Sequence, residues 1–105
     1  SYTTKEQVKN NLINLLLTSP GERLLNPNFG VGIRDLLFEQ VIDKETVLIR
    51  ITDGAQSHLP EIEIIDVFIK REDLNTTPEL HTVRISIHYR LLIDRSTDAI
   101  EINFN

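Results

Sequence analysis

VRISIHYRLLI, residues 83–93, decides the fold class. Val83, Ile85, Ile87, Tyr89, Leu91 and Ile93 alternate with Arg84, Ser86, His88 and Arg90. A period of two places successive side chains on opposite faces, so this stretch reads as a strand with one face on a core and one in water. Ile100, Ile102 and Phe104 repeat the pattern in a shorter strand on the C-terminal side. On the N-terminal side Ile62 to Ile69 is also strand-like, but its apolar phase switches between Ile64 and Ile65. A β-bulge, or burial on both faces, produces such a switch. The connections Asn75-Thr76-Thr77-Pro78 and Asp94 to Asp98 are short enough for antiparallel hairpins.

Before Pro60 the period is about 3.6. Thr3 and Glu6 form an S/T-x-x-E capping pattern ahead of Val8, Leu12, Leu15 and Leu16, one face of an amphipathic helix. Ser19-Pro20-Gly21 ends it, and Gly21 supplies the positive φ of a tight turn. Glu22 to Gly32 reads as extended pieces broken by Asn26-Pro27 and two glycines, and Ile33 to Gln40 as a short helix. Asp43 caps a longer helix whose stripe is Val47, Leu48, Ile51, Ala55 and Leu59, with Pro60 as terminator. Gly54 inside that helix costs roughly 1 kcal/mol relative to alanine. Helices first and an antiparallel meander last make an α+β domain, and 105 residues allow one core, so residues 1–105 read as a single domain.

The chain carries a net charge of −5 with no cysteine. Its longest basic cluster, Lys70-Arg71, is followed at once by Glu72-Asp73, which speaks against a nucleic-acid partner. Thiolate metal sites and disulfides are excluded. Apolar runs stop at three residues, as in Leu15-Leu16-Leu17, far short of the ~20 of a membrane span. No signal-peptide pattern opens the chain, so folding in the cytoplasm where it is made is expected, and the missing initiator methionine means that at least one residue is removed or not shown.

The segment LLLTSPGERLLNPNFGVGIRDLLFE, residues 15–39, resembles the signature of the small baseplate wedge family of contractile phage tails, with relatives in type VI secretion and extracellular contractile injection systems. The matching elements are the Leu-Leu-x-Thr helix end, Pro20-Gly21-Glu22-Arg23, Pro27-x-Phe29-Gly30, and Leu36-Leu37-Phe38-Glu39. In physical terms Phe29 is a core anchor, and Gly30 and Gly32 flank the swing from an extended piece into a helix. Arg23 is either a partner contact or half of an internal ion pair that fixes the turn.

The resemblance implies a non-enzymatic structural subunit with a sheath-core-like sheet. Its partners would be the tail sheath protein and other wedge and hub-proximal proteins, in six copies around the tube, without cofactor, small-molecule substrate, nucleic acid or membrane. It implies that sheath assembly is nucleated by strand augmentation, for which Ile100, Glu101, Ile102, Asn103 and Phe104 are the first candidates because no helix follows to cover them, with Ile62 to Ile69 as the next candidate edge. The family carries Glu-Pro-Arg after the long helix, where this chain has Leu59-Pro60-Glu61. Only the proline matches, so either the wedge contact is apolar, running largely through Leu59, or another charge has taken over. An interaction domain of the same fold outside a contractile machine is the alternative.

Some members of the family are described as lysozyme-like, so paired carboxylates matter. A glycosidase uses two carboxyls about 5–9.5 Å apart. Glu61 and Glu63, two apart on a strand, would sit on one face roughly 6.5–7 Å apart. Such pairs arise by chance among 16 acidic residues. His81 and His88 would face opposite ways on one strand, His58 lacks a partner at i+4, and no serine has nucleophile-elbow glycines. Catalytic and metal residues are therefore expected to be absent.

Overall fold

The computed structural model describes residues 4–22, 25, 28–38, 43–73 and 81–104. Helix α1 (Lys5–Leu17) is capped by Thr4, whose hydroxyl accepts the Gln7 N–H at 3.1 Å while Gln7 Oε1 accepts the Thr4 N–H at 2.9 Å. The capping box thus stands one residue later than Thr3/Glu6; Thr3 lies outside the described residues. TTKEQ satisfies the pattern in both registers, and the one used turns Val8, Leu12, Leu15 and Leu16 inward, all buried.

Helix α2 (Ile33–Leu37) buries Ile33 and Leu37. Helix α3 (Lys44–His58) starts where Asp43 accepts the Thr46 N–H at 2.7 Å. The Thr46 donors, backbone first, hold the Asp43 carboxyl below its ordinary value. Gly54 does not interrupt α3. A Cβ there would lie 2.8 Å from Val31 Cγ2, so the glycine is a notch that receives Val31.

Three antiparallel strands follow in the order β1 (Ile62–Asp73), β2 (His81–Leu91) and β3 (Thr97–Phe104), leaving β1 and β3 as the two edges. Val83, Ile85, Ile87, Tyr89 and Leu91 are buried against the helices, and the arginines of β2 lie on the other face. The phase switch in β1 is a bulge: the register slips between Ile64 and Asp66, leaving Ile65 over. Ile62 and Ile64 before it, and Val67 and Ile69 after it, then face the same core. The helices touch one another, and α3 lies closest to β1.

Several boundaries differ from the sequence reading. Strand β1 continues through Lys70-Arg71-Glu72-Asp73, paired residue by residue with β2, because ladder bonds outweigh the low strand propensity of charged residues. Strand β3 begins at Thr97, inside the expected loop. Ile93 leaves the alternation: β2 ends at Leu91, and Ile93 sits 78% exposed in the turn. Phe68 is half exposed on the outer face, where the His88 ring meets it edge-on at 5.2 Å and Lys44 Nζ lies 4.7 Å from its centre. The expected loop 75–78 and the end of the short helix at Gln40 lie outside the described residues.

Candidate partner-binding surfaces

The signature segment forms a clip on the C-terminal end of α1. A helix end leaves carbonyls without intrahelical donors. Here Val31 N–H donates to the Leu15 carbonyl at 2.9 Å and Gly32 N–H to the Thr18 carbonyl at 2.8 Å. That approach leaves no room at residue 30, where a Cβ would stand 2.4 Å from Thr18 O, and Gly30 has φ +122°. Pro20 and Gly21, with φ +85°, carry the turn, and Glu22 N–H closes it on the Ser19 carbonyl at 3.1 Å. Phe29 is half-buried, with the His58 ring edge-on at 5.1 Å. Leu36 and Phe38 pack beside the core, and Arg34 lies 5.2 Å from the Phe38 ring centre. Arg23, Pro27 and Glu39 lie outside the described residues.

The turn after α3 is built differently from the expectation. Leu59, the C-cap residue, is 5% exposed and belongs to the core. Its side chain is committed to internal packing, so a partner at this turn would meet Pro60, which is exposed, and Glu61, which is half-buried. Beside them lies a groove of about 490 Å³ between α3 and the start of β1, lined in part by Gln56, Pro60, Ile62, Ile64 and Leu92. Leu92 is 49% exposed and donates its N–H to the Glu61 carbonyl at 3.0 Å, so both turns share one end of the molecule. Sequence reasoning missed the Leu92–Ile93 end because both residues extend the apolar run of β2.

Backbone direction on β3 follows from one hydrogen bond. Leu91 N–H donates to the Ser96 carbonyl at 2.8 Å. In an antiparallel ladder the direction alternates residue by residue. Tyr89, Ile87, Ile85 and Val83 therefore face Asp98, Ile100, Ile102 and Phe104, and Thr97, Ala99, Glu101 and Asn103 turn their N–H and C=O groups away from the sheet. The side chains of Ile100 and Phe104 are buried and that of Ile102 is half-buried. Of the five residues expected to meet a partner, only Glu101 and Asn103 present backbone groups to one. Across the ladder, Arg84 Nε donates to Asn103 Oδ1 at 2.9 Å and lies 3.2 Å from Glu101 Oε1.

Asp98 anchors the start of β3. Its Oδ1 accepts the Ala99 N–H at 2.8 Å, and its Oδ2 lies 3.7 Å from Lys9 Nζ on α1 and 3.5 Å from the Tyr89 hydroxyl. Burial, followed by the Asp98 charge, pushes the Tyr89 phenol up to about 12.

The paired-carboxylate geometry does not form as expected. Glu61 lies in the turn rather than on the strand, and Glu63 faces outward 3.7 Å from Arg90 Nη1. His58 and His88 lie apart: His58 Nε2 is 3.3 Å from the Asn28 carbonyl, and His88 packs on Phe68. Among the described residues no group of three His, Cys, Asp or Glu could hold a metal ion, and no helix is long and apolar enough to cross a membrane.

Residues 3–96 match the family model described as baseplate wedge protein gp25. The chain belongs to this family. The wedge fold recurs in two solved structures. One is a crystal structure of a provisionally named tail lysozyme from Geobacter sulfurreducens, at TM-score 0.70 and 21% identity over 99% of this chain and 92% of the other. At that identity the likeness concerns the fold. The other is a chain of the six-fold symmetrised baseplate of the anti-feeding prophage, at TM-score 0.66 and 28% identity over 84% of this chain and 69% of that one. No curated protein matches the sequence. The wedge family is one of structural baseplate proteins, which places this chain in the baseplate of a contractile tail or injection machine.

Proposed function

We propose that this wedge protein joins the baseplate to the tail sheath and starts sheath assembly by strand augmentation on the outer edge of β3. The observation that carries the reading is the outward pair of backbone donors at Glu101 and Asn103, on an edge that pairs with no other strand among the described residues. An edge of this kind templates an incoming chain, and main-chain hydrogen bonds supply the affinity. The opposite edge is less open: its ladder slips at the bulge between Ile64 and Asp66, and Arg71 Nη2 donates to the Leu37 carbonyl at 2.8 Å.

The other wedge and hub-proximal proteins meet the end formed by Pro60, Glu61 and Leu92, with the neighbouring groove as their seat. Six copies surround the tube, in keeping with the symmetry of the anti-feeding prophage baseplate. The chain is made in the bacterial cytoplasm and acts without catalysis, a reading supported by the structural role of the wedge family and by Glu61 standing off the strand that carries Glu63. Purified protein is accordingly expected to leave a peptidoglycan suspension turbid.

Proline substitution tests the edge, since it removes a backbone donor without adding charge. Glu101→Pro and Asn103→Pro each delete an outward N–H, whereas Ile102→Pro deletes a bond to β2 and serves as the unfolding control. At least one of the first two is expected to stop sheath polymerisation on baseplates while the isolated protein still folds. Sheath of normal length and yield from both variants would rule the β3 edge out.

A further inference from the structure

Each edge of the sheet carries the same small device. On β3, Asp98 Oδ1 accepts the Ala99 N–H at 2.8 Å, and Lys9 of α1 stands 3.7 Å from the same carboxylate. On β1, Asp66 Oδ1 accepts the Val67 N–H at 2.8 Å, and Lys44 of α3 stands 3.2 Å away. By the alternation of the ladder, Ala99 and Val67 both point their N–H groups out of the sheet. In both cases an aspartate closes an outward donor on its own neighbour, and a helix lysine holds the aspartate.

We infer that Asp98, positioned by Lys9, is a specificity-determining guard that keeps an incoming strand off Ala99 and confines its pairing to Glu101 and Asn103. The inference rests on the reading of β3 as the augmented edge and adds where on that edge a partner is admitted. The guard acts in two ways. It occupies the hydrogen that a partner carbonyl would need, and it sets a negative charge where that carbonyl oxygen would arrive. Natural edges are commonly blunted by charged side chains; here the blunting covers one donor position and leaves the next two open. A partner strand is thereby fixed in register at its leading end.

Residue-resolved amide hydrogen exchange tests the guard in the protein alone, with rates corrected for the sequence change. In the wild type the Ala99 amide is expected to exchange more slowly than those of Glu101 and Asn103. Asp98→Ala is expected to speed Ala99 about tenfold, since a hydrogen bond to a charged group is lost. The Ile87 and Tyr89 amides, which face β3, should remain protected and so report that the sheet is intact. Lys9→Met should speed Ala99 several-fold without removing its acceptor. Equal rates at Ala99, Glu101 and Asn103 in the wild type, or an unchanged Ala99 rate in Asp98→Ala, would overturn the guard.

Adding sheath protein of the same machine to the wild type should protect Glu101 and Asn103 and leave Ala99 as it was. Protection gained at Ala99 as well would also overturn the guard. A guard confirmed in the free protein, with no protection gained at Glu101 and Asn103, would remove the sheath reading instead.

Discussion

Replacing Gly30 by alanine separates the two ways in which the signature glycines are required. At Gly21 an added Cβ would meet nothing within 4 Å, so alanine there carries the backbone penalty of φ +85° alone. A left-handed residue costs about 1–2 kcal/mol, partly offset by the lower entropy of the unfolded alanine chain, so about 1 kcal/mol net is expected. Gly30 has the same kind of penalty at φ +122° and, in addition, a Cβ 2.4 Å from the Thr18 carbonyl oxygen. Relief requires residues 30–32 to move off α1, which gives up the Val31–Leu15 and Gly32–Thr18 hydrogen bonds. At about 1 kcal/mol each, these bring the cost of Gly30→Ala to about 3 kcal/mol. For a domain of about this size 1 kcal/mol moves the Tm by roughly 4–8 °C. Thermal unfolding followed by circular dichroism should place Gly30→Ala roughly 12–24 °C below the wild type and Gly21→Ala roughly 4–8 °C below it. Melting of the two variants within 5 °C of each other would refute the argument that the clip depends on close backbone approach.

Leu59→Ala should lose about 2–4 kcal/mol on chemical denaturation, as buried leucines do, whereas Pro60→Ala and Glu61→Gln should stay near the wild type. A wild-type midpoint for Leu59→Ala would put that side chain outside the core. Tyr89 gives an alkaline signature. Its folded value of about 12 lies above the ordinary 10, so its share of stability is complete below pH 10 and is lost as pH rises towards 12. At 1.36 kcal/mol per unit the loss approaches about 2–3 kcal/mol. Tyr89→Phe should therefore lose less Tm between pH 10 and 12 than the wild type, and superimposable alkaline limbs would refute the assignment.

Most of the fold could be read because it rests on periods. The alternation from Val83 to Leu91 specifies β2, and the phase switch between Ile64 and Ile65 allowed a bulge or burial on both faces, of which the register slip shows the bulge. The Asp43 cap was legible for the same local reason. What stayed hidden depends on partners distant in sequence. Lys70 to Asp73 has no apolar residue to extend the strand pattern, and only its pairing with β2 makes it strand. Leu59 closes the apolar stripe of α3, and it was the resemblance that assigned it to a partner rather than to the core. The outward set on β3 was hidden altogether. Side-chain pattern tells which face a residue occupies, but which backbone groups point off the edge is set by the partner strand. On the proposed reading, the edge contact therefore narrows from five consecutive residues to the backbone groups of two.

The bulge in β1 has a consequence for polarity. An extra residue bends its strand and deepens the local twist, so β1 does not present a straight row of groups along its length. Strand β3 pairs with β2 from Thr97 to Phe104 without a slip. The two margins of the sheet are thus unequal, one crooked and one straight, and a subunit of this shape has a head and a tail as far as strand addition is concerned. Where strands join at the straight margin, growth from each subunit runs one way. On the proposed reading, a ring of such subunits would act as a one-sided starting block, with strand addition at its straight margins and none through its bent ones.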